Sequence, residues 1–204
     1  MFKKIIFCLF FVLNYSVFMA QNKKPSFDIG FNYGFGNEFK NADYTYTNHY
    51  YKLQLYYTIN ESNHLKCQIL IQPEINFATH QLLNLYFVQP SDPDYLEKRA
   101  KYTALKDINE YVLNIGFIVR KPIFKTASVY VLGSVGPLIT DTETERLSKG
   151  FAFSDVIALG FSIKINKITF DLRPNIRHVS NAGFQKSNAG FNTKNIEIGF
   201  WVPL

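Results

Sequence analysis

The chain alternates between apolar and polar residues, with a period of two, in eight segments. The first segment places Phe27, Ile29, Phe31, Tyr33 and Phe35 on one face and polar or small residues between them. Because successive side chains of a strand point to opposite faces, this run is typical of a β-strand that is apolar on one side only. Seven further segments repeat the pattern, beginning near residues 51, 66, 110, 127, 151, 170 and 195. The alternation therefore predicts an all-β chain of eight strands.

The connections between these segments alternate in length. Those after the second, fourth and sixth strands are short, at about 60–63, 121–125 and 166–167. Those after the first, third, fifth and seventh are longer, at about 36–48, 78–106, 140–150 and 181–191. Short turns at one end and long loops at the other are the layout of outer-membrane barrels, and an even strand number closes the sheet without an edge. The predicted fold is an eight-stranded antiparallel outer-membrane β-barrel.

Composition supports this prediction and divides the chain into two parts. Aromatic residues make up 17% of the 204 residues, although no stretch of 18 apolar residues would form a membrane-spanning helix. Residues 1–20 resemble an export signal, with Lys3 and Lys4 before an apolar run that ends near Ala20. Residues 21–204 then form one barrel domain with formal net charge +4, since the leader holds two of the 22 basic residues and none of the 16 acidic ones. Cys67 is the one cysteine of that domain, so no internal disulfide is possible.

The seventh strand carries a pair of residues that are unusual on an apolar face. His178 and Ser180 have the parity of Phe170, Leu172 and Ile176, whereas Asp171, Arg173, Asn175 and Arg177 take the other face. Residues two apart in a strand point the same way and are roughly 6.6 Å apart. In a soluble enzyme a base and a nucleophile on this side would be buried in the core. In a barrel they lie at the lipid-facing edge, next to a long loop.

The residues after this pair extend it into a motif. The run His178-Val179-Ser180-Asn181-Ala182-Gly183, followed by Asn188-Ala189-Gly190, resembles the signature of the lipid A 3-O-deacylase (PagL-type), or acyloxyacyl hydrolase, family. The resemblance implies that Ser180 is the nucleophile and His178 the general base. It also implies that Asn181 and Asn188 organise the turn and the oxyanion site. Residue chemistry agrees, because an imidazole activates a serine hydroxyl and backbone amides of a small-residue turn, here Asn181, Ala182 and Gly183, can stabilise an oxyanion.

The third member of a triad is left open between two residues. Members of the family carry an acidic residue two positions after the glycine of the Asn-x-Gly unit, and this chain has Asn192 there. An asparagine carbonyl can hold a histidine but cannot stabilise the imidazolium as a carboxylate does. The alternative is Asp155. If Asn166-Lys167 is a two-residue hairpin turn, the register places Asp155 opposite His178 and Phe153 opposite Ser180.

Together with the predicted barrel, the resemblance implies an outer-membrane serine esterase of bacteria that removes an ester-linked 3-hydroxyacyl chain from lipid A (lipopolysaccharide) in the outer leaflet. The alternatives are a non-catalytic eight-stranded barrel with a structural or adhesion role and a secreted β-sandwich binding protein. No metal or other cofactor is expected, because His49, His64 and His80 lack ligand spacing. No phosphate-binding glycine loop or nucleic-acid patch occurs, and a homodimer is left open.

Overall fold

A computed structural model describes residues 26–39 and 41–204, and the predicted signal segment 1–20 lies outside these residues. Eight antiparallel strands pair in chain order, and the first also pairs with the last, so that the sheet closes into a barrel. The fold class predicted from the sequence is thereby confirmed. The strands are β1 (Phe27–Glu38), β2 (Tyr44–Glu61), β3 (Lys66–Leu82), β4 (Lys106–Pro122), β5 (Ala127–Thr140), β6 (Gly150–Ile165), β7 (Ile168–Ser180) and β8 (Phe191–Pro203).

The predicted bounds of two loops, 36–48 and 78–106, are wrong. β2 begins at Tyr44 and β3 ends at Leu82, so these connections span only 39–43 and 83–105. The strands continue because their backbones keep pairing, for example Thr47 with Thr79. In these added parts of β2 and β3 the outward residues are polar. The sequence there shows no apolar–polar alternation, although the strand continues. The long-loop end of the barrel therefore rises above the apolar band on paired strands.

The two faces of the sheet have opposite polarity to those of a soluble protein. Large apolar side chains are exposed on the outside of every strand, among them Leu53, Ile115, Ile157 and Leu159. Polar and charged side chains fill the interior, and Arg173 is among the largest that are fully buried. An apolar exterior around a polar interior is the arrangement of a barrel that spans a lipid bilayer.

Ion pairs connect the strands across the barrel interior. Glu197 accepts hydrogen bonds from Lys52 at 2.8 Å and from Arg173 at 3.1 Å. Arg177 binds Glu74 at 2.7 Å and Glu110 at 2.8 Å. These side chains are almost completely removed from solvent, so each charge depends on its partner. The interior is a packed polar core that ties the strands of the site to the opposite wall.

The 83–105 loop folds over the same end of the barrel. It contains a short 3-10 turn (Leu85–Phe87) and a helix, α1 (Tyr95–Thr103). Lys101 of α1 donates to Glu143 at 2.7 Å, and Tyr102 donates to the same carboxylate at 3.1 Å. These two hydrogen bonds, the one from Lys101 above all, hold the pKa of Glu143 below its usual value. In the described part of the chain no helix is long and apolar enough to cross a membrane.

Candidate active site

His178 and Ser180 lie at the upper end of β7, immediately before the 181–190 loop. Both are partly exposed, and they alternate with the buried Arg177 and Val179. Their side chains therefore project outward, on the face that carries Leu172 and Ile176 lower on the strand. The pair lies where the apolar exterior meets the loop end of the barrel.

Neighbouring strands place one polar residue on each side of His178. On β6 the partner is Asp155, and Phe153 is opposite Ser180. This is the register that the Asn166-Lys167 turn predicted. On β8 the partner is Asn192. The long 181–190 loop connects β7 to β8, so no short turn predicted this pairing. Both candidates for the third member are therefore next to the imidazole.

Of these two neighbours, Asn192 makes the hydrogen bond. His178 Nδ1–H donates to Asn192 Oδ1 at 2.8 Å. Because a carbonyl oxygen only accepts, this bond places a proton on Nδ1, so that in the neutral ring Nε2 is the nitrogen that can accept a proton. Asp155 is exposed and makes no hydrogen bond or ion pair within residues 26–39 and 41–204. The structure thus brings Asn192 into contact with the His178 ring and leaves Asp155 opposite the ring without a hydrogen bond.

The Ser180 hydroxyl is not hydrogen-bonded to the His178 imidazole in this structure. No hydrogen bond joins Ser180 Oγ to His178 among the described residues. Hydrogen bonds of this kind are often long in enzymes without substrate and shorten when the substrate binds. The two side chains share a face of β7 and are two residues apart in the strand.

The turn after Ser180 is built by asparagine side chains. Asn181 N–H donates to Asn188 Oδ1 at 2.7 Å, and Asn181 Nδ2 donates to the Ser187 carbonyl at 2.8 Å. Asn181 Oδ1 in turn accepts from Gly183 N–H at 3.0 Å. The backbone amides of Asn181 and Gly183 are thereby occupied. Of the three amides that the sequence suggested for an oxyanion site, that of Ala182 is the one without a partner in the described structure.

The backbone of this turn is left-handed at two consecutive residues. Ala182 has φ of 53° and Gly183 has φ of 82°. An alanine in this region is uncommon and costs energy, so the surrounding hydrogen bonds must hold it there. Ala182 is exposed in this turn, and its N–H has no partner among the described residues.

A residue that the sequence did not single out supports the far side of the turn. Arg146, in the 141–149 loop, donates to the Gly190 carbonyl at 2.7 Å, and Gly190 N–H donates back to the Arg146 carbonyl at 3.0 Å. Gly190 has φ of 65°, and a Cβ there would lie 2.3 Å from the Val179 carbonyl oxygen. No local pattern marks Arg146, because its partner is 44 residues away.

The surfaces on the two sides of the pair differ. Toward β6 they are aromatic, with Phe153 packed against Phe151 at 4.9 Å and against Phe184 at 6.2 Å between ring centroids. Below His178 an outward-facing groove of about 970 Å³ crosses from β6 to β2, and its lining includes Ile157, Ile176 and Lys194. The outer surface near the pair thus has an aromatic side and a grooved side that contains a cation.

The three remaining histidines lie apart from this site and from each other. His80 is buried and bonded to Glu145 at 2.9 Å, His49 stacks on Phe77 at 5.4 Å, and His64 is in the exposed turn after β2. Within the described residues, no group of three or more His, Cys, Asp or Glu side chains could hold a metal ion.

Comparison with known proteins places this geometry in a family. The family model for lipid A 3-O-deacylase (PagL) matches residues 94–201, more than half of the chain and the part that contains the whole site. The crystal structure of the outer membrane enzyme PagL is similar with a TM-score of 0.55 at 10% identity, covering 86% of this chain and 99% of that one. Neisserial surface protein A (NspA) is similar with a TM-score of 0.51 at 10% identity, covering 88% and 99%. At such identities these two structures support the fold alone, and no curated protein sequence matches the chain.

Proposed function

The chain belongs to the lipid A 3-O-deacylase (PagL) family, and from this premise we propose that it is a serine esterase of the bacterial outer membrane. Its substrate is lipid A in the outer leaflet, and the bond that it cleaves is the ester of a 3-hydroxyacyl chain. The observation that carries the mechanism is the 2.8 Å bond from His178 Nδ1 to Asn192 Oδ1, beside Ser180 on the outer face. In this arrangement Nδ1 is bonded to Asn192, and Nε2 is the ring nitrogen that accepts the Ser180 proton at the edge of the bilayer.

The first half of the reaction forms an acyl-enzyme. Ser180 Oγ attacks the ester carbonyl carbon while His178 Nε2 accepts the hydroxyl proton. The resulting oxyanion accepts a hydrogen bond from the Ala182 N–H. When the tetrahedral intermediate collapses, the bond to the sugar oxygen breaks, and His178 returns its proton to that oxygen.

The second half regenerates the enzyme. A water molecule gives a proton to His178 Nε2 and attacks the acyl carbon, after which the Ser180 oxygen leaves and takes the proton back. The products are a free 3-hydroxy fatty acid and lipid A with one more sugar hydroxyl. Asn192 keeps the ring oriented in both halves, although its neutral carbonyl stabilises the imidazolium less than a carboxylate would.

The position of the pair suits a substrate that stays in the membrane. Lipid A carries its acyl esters on sugars at the boundary between hydrocarbon and water. His178 and Ser180 are at the same kind of boundary, since Ile176 is exposed below them and the polar 181–190 loop lies above. The ester can therefore reach Ser180 without leaving the leaflet.

The test is a comparison of lipid A from a Gram-negative host with and without the protein, by mass spectrometry. We expect the loss of one hydroxyacyl mass, and no loss with Ser180→Ala or His178→Ala. Ser154→Ala is the matched control, because Ser154 lies on the next strand at the level of Val179 but faces the barrel interior. Heat-modifiable gel mobility would show that each variant is folded. Unchanged lipid A in hosts with several acylation patterns would refute the proposal and favour the non-catalytic barrel.

A further inference from the structure

We propose that Lys194 binds a phosphate group of the substrate, on the side of Ser180 opposite the phenylalanines. This inference rests on the proposed function and adds to it an orientation for the substrate. The sugar-phosphate head group lies over β8, β1 and β2, and the cleaved acyl chain lies toward β6.

Lys194 occupies an exceptional position among the cations of the barrel. In the described strands, the Lys and Arg residues on outward positions are Lys121, at the opposite end of the barrel, and Lys194. Four of the other strand cations, Lys52, Lys66, Arg173 and Arg177, are paired with carboxylates in the interior. Lys194 is exposed and has no ion pair or hydrogen bond within the described structure. An unpaired cation beside hydrocarbon is costly, so an anion at the level of the head groups would stabilise this ammonium group.

The residues that flank Lys194 show where the hydrocarbon ends. Its partner on β7 is Ile176, which pairs with Ile157 on β6, and both of these are apolar. Its partner on β1 is Asn37, which pairs with Thr47 on β2. A hydrogen-bonded row crosses the membrane obliquely because the strands of a barrel are tilted. This row passes from an apolar to a polar environment between Ile176 and Lys194.

The distance to the reacting atoms suits a single sugar unit. Lys194 follows Asn192 by two residues on the same face, so their Cα atoms are roughly 6.6 Å apart. Asn192 contacts the ring of His178. A sugar whose ester lies at Ser180 therefore extends over Asn192 toward Lys194, and a phosphate on that sugar or its neighbour comes within reach of the ammonium group.

The Asp155 carboxylate, on the β6 side of the site, supports the same orientation of the substrate. Asp155 is next to His178 on β6, and its own outer neighbour on β5 is Val135. A phosphate placed on this side would meet an unpaired carboxylate and repel it. Charge and hydrophobicity together assign the acyl chain to the β6 side and the phosphate to the β8 side.

The test uses the full-length protein with three substrates: bisphosphorylated, monophosphorylated and phosphate-free lipid A. We expect Lys194→Ala to raise KM for the bisphosphorylated substrate about tenfold, to leave kcat within about twofold, and to leave the phosphate-free substrate unaffected. Lys149→Ala is the matched control, since Lys149 is an exposed cation in the 141–149 loop on the β6 side. Equal effects of the two substitutions would mean general attraction of anions and would overturn the proposal.

A binding measurement separates this inference from the catalytic one. In the Ser180→Ala background, we expect bisphosphorylated lipid A to bind more tightly than phosphate-free lipid A, and Lys194→Ala to abolish that difference. If this selectivity disappears while the wild type releases no fatty acid, the phosphate site stands and the esterase proposal fails. If the wild type is active and Lys194→Ala keeps its selectivity, the esterase stands and the phosphate site is refuted.

Discussion

Asn192 offers the sharpest test of the site, because a change of one atom alters the chemistry without altering the shape. In the structure its Oδ1 accepts a 2.8 Å hydrogen bond from His178. Asn192→Ala removes a neutral hydrogen bond, worth about 0.5–1.5 kcal/mol, which corresponds to a fall in kcat/KM of roughly 2- to 13-fold. The loss is modest because the neutral amide orients the ring but stabilises its positive charge less than a carboxylate would.

Asn192→Asp should have the opposite effect. The carboxylate is isosteric with the amide and accepts the same bond, which becomes charge-assisted when the imidazole takes the serine proton. Such bonds contribute about 1.5–3 kcal/mol, so the gain over asparagine is about 1 kcal/mol, or roughly fivefold in kcat/KM. The expected order of activity is therefore Asp, then Asn, then Ala.

The assay is the rate of 3-hydroxy fatty acid release from lipid A in detergent micelles, followed by mass spectrometry at fixed enzyme concentration. Asp155→Asn is the internal comparison. It should change kcat/KM by less than about twofold, because Asp155 makes no bond to the base. A loss of activity larger than tenfold in Asp155→Asn, with Asn192→Ala unchanged, would assign the orienting role to Asp155 and refute this reasoning.

Three further predictions concern residues outside the proposed catalytic group, in the turn after Ser180, the barrel interior and the loops. Gly190→Ala should abolish activity in a barrel that keeps its heat-modifiable mobility, because the added Cβ would lie 2.3 Å from the Val179 carbonyl in a loop with positive φ; full activity would mean that the turn is not required. Glu197→Ala should lower the free energy of unfolding by about 3–5 kcal/mol, since it leaves the buried Arg173 without one of its carboxylates, and urea titration of the refolded barrel would show it. The pKa of Glu143 is lowered in the folded protein. The ionised Glu143 carboxylate therefore stabilises the folded state at neutral pH, and this stabilisation disappears as the pH falls through that pKa. The 83–105 loop should therefore become more sensitive to an acid protease as the pH is lowered. In the Glu143→Gln variant the loop should already be sensitive at the highest pH of the proteolysis experiment.

Much of the barrel could be predicted from local patterns. Period-two alternation identifies which residues face outward, since that depends only on the geometry of one strand. The Asn166-Lys167 turn sets the β6–β7 register, because a two-residue loop permits one pairing, and it placed Asp155 opposite His178 correctly. The extent of β2 and β3 was missed, because above the apolar band backbone pairing continues without a hydrophobic pattern.

The sequence alone thus determined the eight-stranded barrel, its apolar exterior and the placement of His178 and Ser180 on one outward face. It did not determine whether Asp155 on β6 or Asn192 on β8 contacts the His178 imidazole. Only the tertiary structure shows that Asn192 is the one that contacts the imidazole, since a ten-residue loop separates β7 from β8 and no local rule sets their register. The same holds for Arg146 and for the free Ala182 amide. A strand's alternation determines the direction of each side chain, whereas contacts between distant segments arise only when the sheet closes and the loops pack.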